Sequence, residues 1–216
     1  MKKIMRLALY LSGLLMLALG SVLSIRSGLG VTASASLGFV LSERTGLSMG
    51  TLTVANFALY IVAQLFLARR ESYLRILLQL PFSVFFSWMI DVFLAWIRLE
   101  PAGAAGRVLC MIAGVLLTSL GVFASVSPHI VPAAPDGIVQ TISERFAWKF
   151  GNVKNVFDLT IVFLSAGLGW LLLGRVVGIG VGTVVSALVT GRLVRLLENC
   201  FGSRVARLRA AVQEEA

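Results

Sequence analysis

A shift of 101 residues lays this chain's landmarks on one another. Gly13 falls on Gly114, Gly20 on Gly121 and Gly50 on Gly151, and the triplet Ser42-Glu43-Arg44 falls on Ser143-Glu144-Arg145. Two apolar stretches align some Leu and Val by composition alone. They do not align a Ser-Glu-Arg triplet and three glycines without a gap. A duplicated hydrophobic unit is the sequence mark of many membrane transporters, so the repeat constrains architecture before it says anything about substrate.

The solvent for that unit is lipid. The 216 residues are 58% hydrophobic and only 13% charged, against about 25% charged in soluble domains. The charge-free runs Leu7 to Ile25 and Thr45 to Ala68 are 19 and 24 residues long, and about 20 helical residues cross a hydrocarbon core. The expected fold class is therefore an all-α membrane protein. The Met1-Lys2-Lys3 start and the apolar run behind it read as a retained first span, because the run is too long for a signal-peptide core and further spans follow. A net charge of +9 fits basic loops beside anionic lipid, and no nucleic-acid partner is expected. Cys110, Cys200 and His129 have no metal-ligand spacing. No catalytic constellation and no nucleotide motif occurs, so the chain reads as neither an enzyme nor a primary pump, with no cofactor and no metal.

The first repeat, 1–101, divides into spans 5–25, 49–69 and 74–97 and a short helix 33–44. The second, 102–202, divides into spans 107–127, 153–174 and 177–197 and a short helix 136–148, and 203–216 is a polar tail. Pieces of about a dozen residues cannot cross a bilayer at 1.5 Å per residue, so the short helices read as re-entrant or interfacial. Each follows a helix-breaking stretch. In the first repeat this is Ser27-Gly28-Leu29-Gly30. In the second it is Pro128 to Pro135, with Asp136 placed to cap the helix that follows. Three spans per repeat make the second copy inverted. With the N-terminus inside, 14 of the 19 Lys and Arg lie inside, and Arg26, Arg44, Arg98, Arg107 and Arg175 lie outside. Charge asymmetry thus favours six spans with both termini cytoplasmic.

Polar groups within the spans are the candidates for a site. Lys154 and Asp158 are four apart and share a helix face, either as a neutralising pair or as an ion or substrate contact. Asn56 is their approximate counterpart in the first repeat. Asp91 reads as an interfacial acid near Arg98 or as a functional acid. Asp136, Gln140 and Ser143 follow i, i+4, i+7 spacing, which suits either a cavity lining or an amphipathic interfacial helix. Glu43-Arg44 and Glu144-Arg145 read as charged helix ends or as contacts between repeats. His129 reads as a loop residue. Gly13, Gly20, Gly114 and Gly121 allow close helix approach, and with it a homo-oligomer. Gly28, Gly30 and Gly137 mark the two helix breaks, which are expected to meet at one shared polar cavity. Gly178, Gly180 and Gly182 lack the ending of a phosphate loop and read as the start of the last span.

Arg26 to Gly30, Val40 to Ser42 and Thr45 to Thr51 resemble the first-repeat signature of the YczE/YyaS/YitT-type bacterial membrane proteins. Pro135 to Val139, Phe150 to Lys154, Phe157-Asp158 and Gly178 to Thr183 resemble its second-repeat and glycine-rich motifs. The resemblance covers about residues 7 to 197. Relatives often carry a proline after Gly-Leu-Gly where this chain has Val31-Thr32-Ala33. The resemblance implies a multi-pass protein of a bacterial inner membrane. The expected function is a small-solute transporter or exporter, acting on an anionic or dipolar solute between the repeats. The alternative is a non-transporting membrane partner that stabilises or recruits another protein. A polar cavity between the repeats favours the first, and a dry core with an exposed apolar groove favours the second.

Overall fold

The computed structural model describes residues 2–68, 72–127 and 131–213, with side chains described at 4 and 7–202 inside those ranges. The described residues form helices and no strand. These are α1 (Lys2–Ser27), α2 (Ala33–Thr45), α3 (Met49–Leu67), α4 (Tyr73–Leu77), α5 (Gln79–Trp96), α6 (Gly103–Val126), α7 (Ala134–Phe146), α8 (Phe150–Leu173) and α9 (Val181–Gln213). Five stretches are long and apolar enough to cross a membrane: α1, α3, α4 with α5, α6 and α8. The expected sixth span, α9, begins apolar but carries Arg192, Arg195 and Glu198 in its middle.

The polarity of the molecule is inverted relative to a soluble domain. Phe66, Trp96 and Leu171 are 79% to 85% exposed, whereas Ser24, Ser36, Gln64, Ser125 and Thr183 are fully buried. Lipid is as apolar as leucine, so packing and internal hydrogen bonds, not apolar burial, hold such helices together. This is an integral membrane protein of helical type.

Its most extensive contact joins α1 to α6. Gly13 lies against Gly121 and Ser125, and Gly20 against Gly114 and Thr118, so the two helices run antiparallel. A methyl group added to Gly121 would sit 2.6 Å from the Leu17 nitrogen, and one on Gly13 would sit 2.7 Å from the Ser125 nitrogen. The contacts obey the 101-residue offset: Gly13 on Ser125 is matched by Gly114 on Ser24. Because these glycines face one another within one chain, they are not free to join two copies. The self-association expected through them is thereby corrected.

The short helices cross over. α2 packs on α8 and α7 packs on α3. Both end with a residue in the left-handed region, Gly46 (φ 70°) and Ala147 (φ 54°), again 101 apart, whose N–H groups donate to Ser42 and Ser143 carbonyls. The aligned Ser-Glu-Arg triplet therefore marks a shared way of stopping a helix.

Three boundaries differ from the sequence expectation. The helix expected at 74–97 is two pieces, because Pro81 has no N–H to donate and its ring crowds the Leu77 carbonyl. α7 starts at Ala134 with Ala133 as its cap residue and Pro135 in its first turn, so Asp136 is inside the helix and does not cap it. α9 continues to Gln213, so through that residue the expected separate tail is one helix with the segment expected as the last span.

The glycine contact predicts a selective response. Gly121→Leu should abolish the monodisperse folded peak in detergent. Gly167→Ala, at a helical site with nothing within 4 Å of an added Cβ, should hold or raise stability by up to about 1 kcal/mol. Thermal melting of both variants checks this, and a Gly121→Leu protein that melts like wild type would contradict the contact.

Candidate functional site

Three charged side chains meet where α7 enters the bundle against α8. The Lys154 ammonium donates a hydrogen bond to Asp158 Oδ1 at 3.0 Å. The same Nζ lies 3.2 Å from Asp136 Oδ1, on α7. Asp136, Lys154 and Asp158 are 1%, 2% and 3% exposed. The i, i+4 spacing on α8 makes the first pair, and the break before α7 brings the third group. Asp136 stands in the first turn of α7, where the free N–H groups of the helix start favour a carboxylate. The pairing read from sequence at Lys154 and Asp158 is present, and Asp136 joins it from another element.

One residue along, Gly137 forms part of a cavity of about 610 Å³ between α3, α4, α5 and α7. Two buried glutamines form its inner wall. Gln64 Nε2 donates to Gln79 Oε1 at 2.9 Å and Gln79 Nε2 donates to Gln64 Oε1 at 2.8 Å, a closed amide pair. Gly137 is what admits it, since a Cβ there would lie 2.6 Å from Gln79 Nε2 and 2.8 Å from Gln64 Oε1. Gln140, Thr141, Glu144, Arg145, Ser72 and Arg75 line the rest with both signs of charge. Gln140 donates to Glu144, and Arg145 Nη1 donates to the Leu67 carbonyl, which ties the end of α7 to the end of α3. The glutamines are absent from the sequence reading. Their signal was available: each is an uncharged amide in an apolar run, as Asn56 is.

The other expected residues separate. Ser143 is buried but spends its hydroxyl on the Val139 carbonyl, and it does not line the cavity that Gln140 lines. Asn56 donates to the Tyr60 hydroxyl at 3.1 Å, and the Tyr60 ring meets Phe157 of α8 edge-on at 5.4 Å. Asp91 receives the Gly50 N–H at 2.8 Å and the Ser48 hydroxyl at 2.9 Å, so it closes the start of α3. This is a structural task that neither sequence reading of Asp91 named. Glu43 and Arg44 are exposed. His129 lies outside the described residues.

The two helix breaks do not share a cavity. Gly28 and Gly30 belong to a loop that packs on the glycine-rich start of α9. Val31 N–H donates to the Gly178 carbonyl at 2.8 Å and Gly182 N–H donates to the Leu29 carbonyl at 3.0 Å. Gly180 sits too close to Leu29 for any side chain. The physical reason is the run Gly178, Gly180, Gly182, which accepts the first loop backbone-to-backbone. Only the second break, through Pro132 and Gly137, borders the cavity.

The profile of a protein family described as "Family of unknown function (DUF6198)" matches residues 4–199. The chain belongs to that family. It is also similar to a membrane protein of Bacillus subtilis (strain 168) described as "Uncharacterized membrane protein YczE", with 27% identity over 96% of each chain. No solved structure matches. The match to YczE bears out the resemblance read from the two sets of motifs, and the DUF6198 profile spans every site residue named above.

In this DUF6198 member the charge cluster predicts unequal costs. Lys154→Met leaves two carboxylates buried without a cation and should cost about 3–5 kcal/mol. Asp158→Asn leaves Lys154 with Asp136 and should cost no more than about 1–2 kcal/mol. The double variant Lys154→Met/Asp158→Leu should melt above Lys154→Met. Melting temperatures in one detergent check the order, and equal small losses from both single variants would mean that the charges reach water separately.

Proposed function

We propose that this chain is a small-solute transporter or exporter of a bacterial inner membrane, built as two inverted three-span repeats around a site between them. The observation that carries the reading is the cavity of about 610 Å³. Residues 64–79 of the first repeat and 132–145 of the second line it, and its size falls in the range of small-molecule sites, about 300–1,000 Å³. Its wall of paired amides, a hydroxyl and both signs of charge suits a small dipolar or anionic solute. The antiparallel α1–α6 contact, with glycines matched at the repeat offset, supports the inversion. α9 serves as the sixth span in this reading, alongside α6 and α8. No catalytic role is assigned.

The positive-inside argument sets the orientation: the cavity opens toward the cytoplasm at Arg75 and Arg145, and both termini are cytoplasmic. Single cysteines at Arg75, Arg107 and Arg175, in a background lacking Cys110 and Cys200, should divide under a membrane-impermeant thiol reagent. Positions 107 and 175 should label on intact cells and position 75 only after lysis. Labelling of position 75 from outside overturns the topology.

Transport itself is tested by a thermal-shift screen of small anionic and zwitterionic solutes on the purified protein, then by uptake or efflux of any stabilising solute in proteoliposomes. Thr141→Leu, which fills the cavity wall, should weaken the stabilising solute at least tenfold while the unliganded protein melts near wild type. A protein that neither responds to any solute nor moves one would fit the non-transporting partner instead.

A further inference from the structure

The cluster at α7 and α8 does not balance. Two carboxylates face one ammonium, so the three groups carry one net negative charge when all are ionised. Asp158 has Lys154 and Asp136 as its electrostatic partners, and Lys154 has the same two carboxylates. The surrounding elements bring no second cation to the cluster among the described residues. From α3 come Tyr60, within electrostatic reach of Lys154 and Asp158, and Asn56 behind it. From α2 comes Ser36, paired with Ser165 further along α8 at 2.9 Å. α5 brings Gln79, which faces Gln64 and Gly137. Arg195 of α9 engages Asn152 at the start of α8. A buried unbalanced charge is costly, and the ordinary remedy is to bind the missing proton or cation.

The geometry says where the remedy lies. Lys154 makes its well-directed hydrogen bond to Asp158, whereas Asp136 Oδ1 is at ion-pair distance but has no hydrogen bond, in a side chain almost wholly buried. Asn56 Oδ1, also buried, has no hydrogen-bond partner either. The residue after Asp136 in the chain, Gly137, lines the cavity of about 610 Å³. We propose that Asp136, Lys154 and Asp158 form a proton-binding site inside the membrane, in which the two carboxylates share one proton that exchanges with water in the cavity beside Gly137. Lys154 stays an ammonium between the two carboxylates, and the proton comes from water and returns to it with no redox change. This deepens the transport reading by naming the coupling ion, and one proton on the carboxylate pair makes the cluster neutral for any movement of α7 against α8.

Infrared spectroscopy of the full-length protein in lipid nanodiscs reads the proton without any solute. The wild type should show a protonated carboxyl band that is lost as the medium is raised from about pH 5 to about pH 9. Asp136→Asn and Asp158→Asn should each abolish it, because either leaves one carboxylate on one ammonium. The chain has only three aspartates. Where a cluster variant does not fold, isotope-labelled aspartate should shift the band and Asp91→Asn should leave it in place. No such band at any pH, a band that survives either cluster variant, or one that aspartate labelling does not move overturns the proposal. So does a band removed by sodium or potassium chloride but not by N-methylglucamine chloride, which would make a metal cation the occupant. A band present in a protein that moves no solute leaves the proton site standing and removes the transport reading, and the converse result separates them the other way.

Discussion

Close approach of α1 and α6 is the condition under which everything else in this molecule can form. Gly13, Gly20, Gly114 and Gly121 let two backbones meet with no side chain between them, and Ser24 and Ser125 approach the same seam. In lipid there is little apolar driving force between helices, so tight van der Waals contact is what a helix pair has to offer. The remaining helices are arranged around that seam: α5 and α9 touch α1, and α9 also touches α6. Around the same seam α2 crosses onto α8 and α7 onto α3, and the second crossing sets Gly137 beside the glutamines.

The two halves of the chain match at several positions 101 residues apart and differ in what those positions hold. Ser36 facing Ser165 occupies the place that Gly137 facing Gln64 occupies in the other half, 101 residues away. One pairing is a small dry hydroxyl contact, and the other opens onto a cavity. The start of α3 rests on Asp91, while the start of α8 lies beside Arg195, with Gly50 on the Ser87 carbonyl and Gly151 on that of Gly191. That second match needs an offset of 104, so the last segment has slipped three residues relative to the rest. A carboxylate suits a helix start. The arginine instead takes Asn152 as its partner. The three buried charges at Asp136, Lys154 and Asp158 have no counterpart in the first half, where Ala35, Thr53 and Phe57 stand.

Much of this was legible in the sequence, for identifiable reasons. Helix positions follow from charge-free runs and from Gly and Pro, and Lys154 with Asp158 follows from helical spacing. Local signals, however, do not report on partners distant in sequence. Asp91 lies more than forty residues from the helix start it closes, and Gln64 meets Gln79 across the helix break between Leu77 and Gln79. The expectation that the Gly28–Gly30 break would meet the Pro132–Gly137 break failed on the same ground. Two breaks in matching positions looked like partners, but a glycine-rich loop pairs with whatever backbone can come closest, and Gly178 to Gly182 offered that surface. Asp136 was read as a helix cap from its place after Pro135, yet Pro in the first turn moves the helix start upstream of it.

The exchange of short helices has a consequence for biogenesis. α2 ends at Thr45, and the helix it packs on does not begin until Phe150. While the chain is being inserted, α2 has left the ribosome and its buried Ser36 has no Ser165 to meet until more than a hundred further residues have been made. α7, by contrast, emerges after α3 is already in place and can dock at once. The two halves are thus unequal in time even where they are matched in space, and the second half acts as the template on which the first is completed.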